Sequence, residues 1–481
     1  MTPCHDAGAD GLPAGAAWTP ALPAERGGAT KHKLLTDRII ADIDAGLLPP
    51  GTRLPTHREL AQRLCLAVQT VSISYKEAER RGYLRSEVGR GTFVRERVTE
   101  RADRFMLDRR PRDLIDLSIV RAPYLPAHEE ASRALLAELA AGDNSAFMRP
   151  CRPIAGLDRH RAAGQAWLAR LGVAAETDRI LVTNGAAHAI FLALATIIRP
   201  GDVVLTEQLT DHGVIGLASV LGFTLRGLQT DAEGVLPDAF AAACAGGDVT
   251  ALVLVPTLGN PTSHVAGAER RRAIAAIARR HNVFVVEDEV YKPLLEDPLP
   301  SITGMLPELG FFATSFTKSV MTGLRTGYLV VPPHYSIRTA SILRVSGWSA
   351  VPAMAEMAAR WIENGTAERL LAAQRTEIRA RQAVVQALLG PFVAGSHALS
   401  LSAWLAVPER WTEEALIRAL AARHVAVTPS DPFVAGGRPP AGGVRVCIGG
   451  RLSPATLREA LESIRATLLQ LPPVNQIGTV A

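Results

Sequence analysis

Ser315-Phe316-Thr317-Lys318-Ser319-Val320-Met321-Thr322-Gly323-Leu324-Arg325-Thr326-Gly327-Tyr328 is the stretch on which the reading of this chain turns. It follows an apolar run, Phe311-Phe312-Ala313-Thr314-Ser315, that reads as a buried strand. A lysine then sits in a turn rich in hydroxyls, with an arginine seven residues later. A partly desolvated lysine can form a Schiff base with an aldehyde. An arginine beside hydroxyls suits a phosphate, because its planar fork matches the phosphate oxygens.

Upstream, further buried-strand runs alternate with helical stretches. The strands are Ile180-Leu-Val-Thr, Asp202-Val-Val-Leu, Phe223-Thr-Leu-Arg, Leu252-Val-Leu-Val and Val283-Phe-Val-Val; helices such as 186–198 and 269–281 separate several of them. This alternation predicts an α/β domain with a mostly parallel sheet and a ligand site at the strands' carboxyl ends. Three more motifs fall at strand ends. Thr183-Asn184-Gly185-Ala186-Ala187 turns a strand into a helix whose first N–H groups can face an anion. By itself it also reads as a plain tight turn. Gly259-Asn260-Pro261-Thr262 is a turn signal whose Asn260 can donate to a ligand oxygen. Glu287-Asp288-Glu289-Val290-Tyr291 ends an apolar strand, where acids are costly unless paired. Asp288 and Tyr291 can face one ligand, one by charge and one by its phenol.

Together the four motifs resemble the fold-type I pyridoxal-phosphate (PLP) enzymes of the aspartate aminotransferase class, over roughly residues 114–471. The resemblance implies PLP as cofactor, carried by Lys318. It implies that Asp288 pairs with the pyridinium nitrogen and keeps the ring an electron sink. Tyr291 and Asn260 then meet the ring hydroxyl oxygen. Backbone at Gly185, Ala186 and Ala187, with Ser315 and Arg325, holds the phosphate. Val444-Arg445-Val446-Cys447-Ile448-Gly449 matches the strand whose arginine clamps a substrate carboxylate, which gives that role to Arg445. Two positions depart from the pattern. Asp211 stands where relatives usually place an aromatic ring stacker, so that either His212 stacks instead or the ring is less tightly sandwiched, and Thr322 stands where proline often precedes Gly-Leu-Arg.

Charge singles out a second region. The 481 residues carry a formal net charge of +5. From Lys31 to Arg95 there are twelve Lys/Arg against seven Asp/Glu, so the excess lies in this segment and the rest is neutral. A basic module on a neutral body is the footprint of a nucleic-acid reader, although a solvated surface gives the same count. Leu35, Ile39 and Ile43 fall at helical spacing. Thr56 with Glu59 is a capping box that opens a helix burying Leu60 and Leu64. Another helix runs from about Val68 to Arg81, burying Val71, Tyr75 and Ala78. Two short helices and their turn make a helix-turn-helix. Tyr83-Leu84-Arg85 and Thr92-Phe93-Val94 then read as a hairpin, a wing closed by Glu87-Val88-Gly89-Arg90-Gly91.

Leu54-Pro-Thr-His-Arg-Glu-Leu-Ala, Gln69-Thr-Val-Ser and Gly89-Arg-Gly-Thr-Phe-Val resemble the winged helix of GntR-type bacterial repressors. That resemblance implies DNA contacts from Thr56, Arg58, Gln69, Thr70, Arg90 and Gly91. Some relatives carry arginines where Val68 and Ser72 stand here, which bears on base specificity.

With 48% apolar and 21% charged residues, the chain can bury large cores. No run approaches the roughly 18 apolar residues of a membrane span. The Ala-, Gly- and Pro-rich start lacks the basic-then-apolar order of a secretory signal. Five scattered cysteines without a CxxC argue against a disulfide framework and against zinc, and a cytoplasmic protein is expected.

The expected organisation is a disordered tail (1–30), a small α/β winged helix-turn-helix (31–95), a charge-dense linker (96–112), an aminotransferase-like body (113–472) and a tail (473–481). Within the body, a large lobe spans about 160–335. A smaller α+β lobe takes about 113–159 and 345–472. This combination resembles the MocR subfamily of GntR regulators, to which the γ-aminobutyrate-responsive GabR type belongs. It implies a PLP-dependent homodimeric regulator that binds a double-stranded DNA operator, has no membrane partner, and senses an amine or amino acid through external aldimine formation at Lys318. Two rivals remain: a working aminotransferase with an auxiliary DNA-binding head, and a DNA-binding protein blind to PLP, which the presence of Lys318, Asp288 and Arg325 disfavours.

Overall fold

The computed structural model describes residues 18–20, 31–44, 47–48, 51–80, 83–87, 91–94, 114–435 and 442–472. Arg90 and the linker 96–112 lie outside these residues. The chain divides into two compact units, Met1–Glu100 and Arg101–Ala481.

In the first unit, helices Lys31–Asp44, His57–Arg63 and Val68–Arg80 are followed by strands β1 (Leu84–Glu87) and β2 (Gly91–Val94). The strands pair antiparallel, from Leu84 opposite Val94 to Glu87 opposite Gly91. The core is one cluster that includes Leu35, Ile39, Leu60, Val71, Tyr75, Leu84 and Val94. Trp18, placed in the tail by its sequence surroundings, is buried in this cluster, and its indole N–H donates to Asp42 at 2.9 Å. An aromatic side chain of that area gains more from burial than the Ala/Gly/Pro-rich composition around it suggests. Both halves of the capping box form: Glu59 N–H donates to Thr56 Oγ1 at 3.3 Å and Thr56 N–H to Glu59 Oε2 at 2.8 Å.

The second unit opens with β3 (Ile115–Asp116) and is built on a seven-stranded sheet. Its strands are β4 (Ile180–Thr183), β5 (Val203–Glu207), β6 (Thr224–Leu228), β9 (Val249–Leu254), β10 (Phe284–Asp288), β11 (Gly310–Ser315) and β12 (Gly327–Val330). A short hairpin, β7 (Thr230–Asp231) with β8 (Gly234–Val235), lies between β6 and β9. The spatial order is β4-β12-β11-β10-β9-β5-β6, and β12 runs antiparallel to both of its neighbours. The sheet is therefore mixed, with the reversed strand following directly on the lysine turn.

Period-2 alternation buries both faces. Val204, Val253, Val286 and Phe311 pack with helix Ala186–Ile197 on one side. Leu205, Leu252, Leu254 and Val285 pack against helix Ala268–His281 on the other. At roughly 1.5–3 kcal/mol for each fully buried large apolar side chain, these layers fix the strand ends that carry the site.

The second sheet contains β13 (Val393–Gly395), β14 (Ser402–Ala406), β16 (Thr428–Pro429) and β17 (Gly443–Cys447), with long helices Thr366–Leu389 and Pro454–Leu469 nearby in the core. β15 (Val425–Ala426) pairs parallel with β3. Cys447 N–H donates to Leu117 O at 2.8 Å, so the chain after β3 is held along β17 and led toward the first sheet.

Candidate functional site

The carboxyl ends of β4, β10 and β11, the start of helix His212–Leu221, and β17 meet at a cavity of about 410 Å³. Ala186, Ala187, Asn260, Asp288, Tyr291, Ser315, Lys318, Arg325 and Arg445 all line it. Gly185 adjoins it as the N-cap of helix Ala186–Ile197, with φ +90°, a region that disfavours any side chain. A Cβ built on Gly185 would come within 3.3 Å of the Arg325 guanidinium, so the bare backbone lets the arginine approach the helix start. Arg325 itself takes φ +49° and its Nη2 lies 3.5 Å from Asn184 O.

Lys318 is half-buried in the cavity wall. Its Nζ donates to Val120 O at 2.6 Å, and burial pushes its pKa below the ordinary lysine value, while Asp211 opposes that shift. The three acids at the end of β10 divide. Glu287 accepts from Ile302 N–H and Thr303 N–H at 2.8 and 2.9 Å, and Glu289 pairs with Arg271 at 2.8 Å; both are fully buried beneath the site. Asp288 alone of the three lines the cavity. Burial, and then the charge of Asp211, push its carboxyl up to about 7. Burial also keeps Tyr291 well above the ordinary phenol range, so its hydroxyl stays protonated.

Arg445 on β17 is 3% exposed. Its Nη1 donates to Asn260 Oδ1 at 2.7 Å, its Nη2 to Ser118 O at 2.6 Å, and its guanidinium carbon lies 4.6 Å from the centre of the Phe433 ring. Asn260 in turn donates from Nδ2 to Asp211 Oδ2 at 2.7 Å. Asp211 begins helix His212–Leu221 as its N-cap, accepting from Gly213 N–H at 2.8 Å. His212 also lines the cavity and meets Phe433 edge-on, with ring centres 6.5 Å apart.

Several participants carry no sequence signal of their own. Ser118 and Val120 act through backbone carbonyls, and Phe433 reaches Arg445 only through the tertiary fold. Asp211 was readable as a helix cap, since Asp ahead of a helical run is a common N-cap.

In the first unit, Thr56, Arg58 and Gln69 are exposed, and Thr70 and Gly91 are half-buried. They belong to the starts of the second and third helices and to the wing. Val68 and Ile73 add exposed apolar surface on the third helix.

The family model for aminotransferase class I and II matches residues 112–464, and that for bacterial regulatory proteins of the gntR family matches residues 33–94. An uncharacterized HTH-type transcriptional regulator of Bacillus subtilis, YdeF, is 30% identical over 432 residues, covering 89% of this chain and 91% of that protein. A probable rhizopine catabolism regulatory protein of Rhizobium meliloti, MocR, is 25% identical, covering 92% and 94%. Among solved structures, an archaeal alanine:glyoxylate aminotransferase superposes with a TM-score of 0.67 at 19% identity, covering 82% of this chain and 98% of that one.

The class I and II aminotransferase domain implies pyridoxal phosphate, and the cavity fits it. A desolvated lysine, a carboxylate and a phenol share one space with a helix N-terminus and an arginine. Two buried polar atoms there, Thr317 Oγ1 and Arg445 Nε, have no hydrogen-bond partner among the described residues. Buried polar groups are ordinarily satisfied, so such orphans suit a ligand rich in acceptors. The chain belongs to the aminotransferase class I and II family and, through its gntR-type head, to the MocR-type transcriptional regulators.

Proposed function

We propose that this protein is a PLP-dependent, DNA-binding regulator that senses an amine or amino acid in the Lys318 cavity. The observation that carries the reading is one cavity shared by a desolvated Lys318, Asp288 and Arg445, in a chain whose first unit displays helix starts and a wing. When bound there, PLP supplies an aldehyde that condenses with primary amines and a ring that withdraws electrons. Lys318 would hold the cofactor covalently. Asp288 would hold a proton at the ring nitrogen. Tyr291, and Asn260 through its remaining amide hydrogen, would donate hydrogen bonds to the ring hydroxyl oxygen. The N–H groups at the start of helix Ala186–Ile197 hold the phosphate with Ser315 and Arg325, as a helix N-terminus does for anions. Arg445 takes the effector's carboxylate.

In this reading the head spans 31–95, the linker 96–112 and the body 113–472. Thr56, Arg58, Gln69, Thr70, Arg90 and Gly91 contact the operator. Effector binding in the Lys318 cavity would be coupled to operator binding by the head through movement of the lobes. A homodimer is supported by apolar side chains left exposed near the phosphate turn: Val345 and Val351 are both exposed, and Val351 N–H donates to Asn184 Oδ1 at 3.0 Å. Among the described residues no helix is long and apolar enough to cross a membrane. A protein that reads chromosomal DNA works in the bacterial cytoplasm.

The test is an absorbance titration of the purified, yellow protein with a panel of amines, read beside operator binding. A cofactor spectrum that shifts together with operator affinity supports sensing. Steady keto-acid production over many turnovers instead makes the protein an aminotransferase, a reading favoured by the presence of Lys318 and Asp288 in one cavity.

A further inference from the structure

Asp211 has no assignment in that reading, yet it faces the same cavity. About 31% of its side chain is exposed. Its two oxygens accept from Gly213 N–H and Asn260 Nδ2, both neutral donors. A carboxylate has about four acceptor positions, so two remain for a ligand. Its ion-pair contact among the described residues is His212 Nδ1, at 4.0 Å.

The other charged groups of the cavity already have complements. Lys318 is committed to the cofactor, Arg325 to its phosphate, Asp288 to the ring nitrogen and Arg445 to a carboxylate. Asp211 is the anion left over. Val120, Ile190, Val214, Val255 and Val290 wall the same cavity, so its charge is poorly screened there. Its influence is already visible on its neighbours: it raises the pKa of Asp288 and opposes the lowering of Lys318. Burial works against its own ionisation, but His212 and the N–H groups of Gly213 and Asn260 hold its carboxyl below the usual range.

We infer that the effector is a dibasic amino acid, whose second cationic group is recognised by Asp211 in the Lys318 cavity. This rests on the sensing reading and narrows it. The reacting amine meets the cofactor, the carboxylate meets Arg445, and an amine or guanidine at the far end of the side chain meets Asp211. An acidic side chain is repelled, and a neutral one leaves the carboxylate without a charged partner. Complementary charge gives selectivity of this kind, with each tenfold in affinity equivalent to about 1.4 kcal/mol.

The test uses the full-length, cofactor-loaded protein. L-lysine, L-ornithine and L-2,4-diaminobutyrate are titrated beside L-norleucine, L-norvaline and L-glutamate, by absorbance and by calorimetry. At least one dibasic acid should bind about tenfold or more tightly than its neutral counterpart, with glutamate weakest. Asp211→Ser removes the charge but keeps a hydroxyl able to cap the helix, and should bring the pair to within roughly threefold. Asp211→Glu retains the charge and should retain the preference. Equal binding of dibasic and neutral acids by the wild type overturns the inference while sensing stands. A dibasic preference that survives in Asp211→Ser overturns it as well, because another group then recognises the cation. If none of the six, nor L-arginine, perturbs a loaded cofactor, the dibasic inference is overturned, while the sensing reading is decided by the wider amine panel.

Discussion

Arg445 and Arg58 are both assigned to anions, and their surroundings have little in common. Arg445 is 3% exposed, and two backbone or side-chain oxygens and an aromatic face fix its guanidinium before any ligand arrives. Arg58 stands exposed on the second residue of a seven-residue helix. The cavity is an interior site: its groups shift one another's protonation and are held by packed strand ends. The proposed DNA-facing edge is a surface site, where a charge is screened and its geometry would be completed only by the duplex. Replacing cavity residues should therefore give near all-or-none effects, whereas head residues should give graded ones that depend on salt.

The largest expected effect tests the interior half of that contrast. Lys318→Ala should abolish covalent attachment of PLP, read by borohydride reduction and peptide mass mapping, while circular dichroism stays native. Label on another lysine would move the site elsewhere. Next in size is Arg445→Ala. Removing one partner of a buried charge-assisted pair costs on the order of 2–5 kcal/mol. Carboxylate-bearing effectors should weaken by at least ~10-fold, with PLP loading and operator binding near wild type. A decarboxylated analogue that binds the wild type as tightly as the acid would release Arg445 from this role.

A third prediction uses Asp288. In the cofactor-free protein its carboxyl sits at about 7, above the ordinary aspartate value of 3.8, with burial the first cause. A raised folded-state pKa means the native state holds the proton more tightly than the unfolded chain. The associated stability is full below about 4 and is lost as pH rises through about 7. The Tm of the cofactor-free wild type should fall across that window relative to Asp288→Asn. Parallel profiles for the two proteins would mean that Asp288 titrates normally.

The two sites were unequally legible in the sequence. Parallel strands buried on both faces read as continuous apolar runs, so Ile180–Thr183 and most of the sheet could be seen directly. β12 escaped because Gly327-Tyr328 closes the lysine motif, and nothing local marks a strand as running against its neighbours. Lys318, Asp288 and Arg445 are separated by long stretches of chain, and resemblance rather than periodicity linked them. The carbonyls of Ser118 and Val120 have no signature at all: the pairing of β3 with β15 puts them there. In the head, by contrast, the capping box was explicit in Thr56 and Glu59, because capping is a local interaction.

Arg58→Ala sharpens the surface half of the contrast. If Arg58 neutralises one phosphate, its loss should weaken operator binding about tenfold at moderate salt. The slope of log affinity against log salt should fall by about 0.9. The cofactor spectrum should not change. An unchanged slope would remove Arg58 from the phosphate contacts.

The smallest expected effect comes from Thr56, whose two assignments can be separated. As N-cap it accepts from Glu59 N–H at 3.3 Å, and Glu59 returns the bond to Thr56 N–H at 2.8 Å. Losing an N-cap hydroxyl costs about 1 kcal/mol, so Thr56→Ala should lower the stability of the head by about that amount. The unit 1–100 has its own core around Leu35, Leu60 and Tyr75, so its transition should move without the absorbance-detected transition of the cofactor-bearing unit. Thr56→Ser restores a hydroxyl in the same position and should restore the stability. Operator affinity then decides the second role. If serine rescues both stability and affinity, the hydroxyl suffices for cap and contact. If alanine weakens affinity no more than its loss of stability requires, Thr56 serves the helix alone, and contact with DNA begins at Arg58.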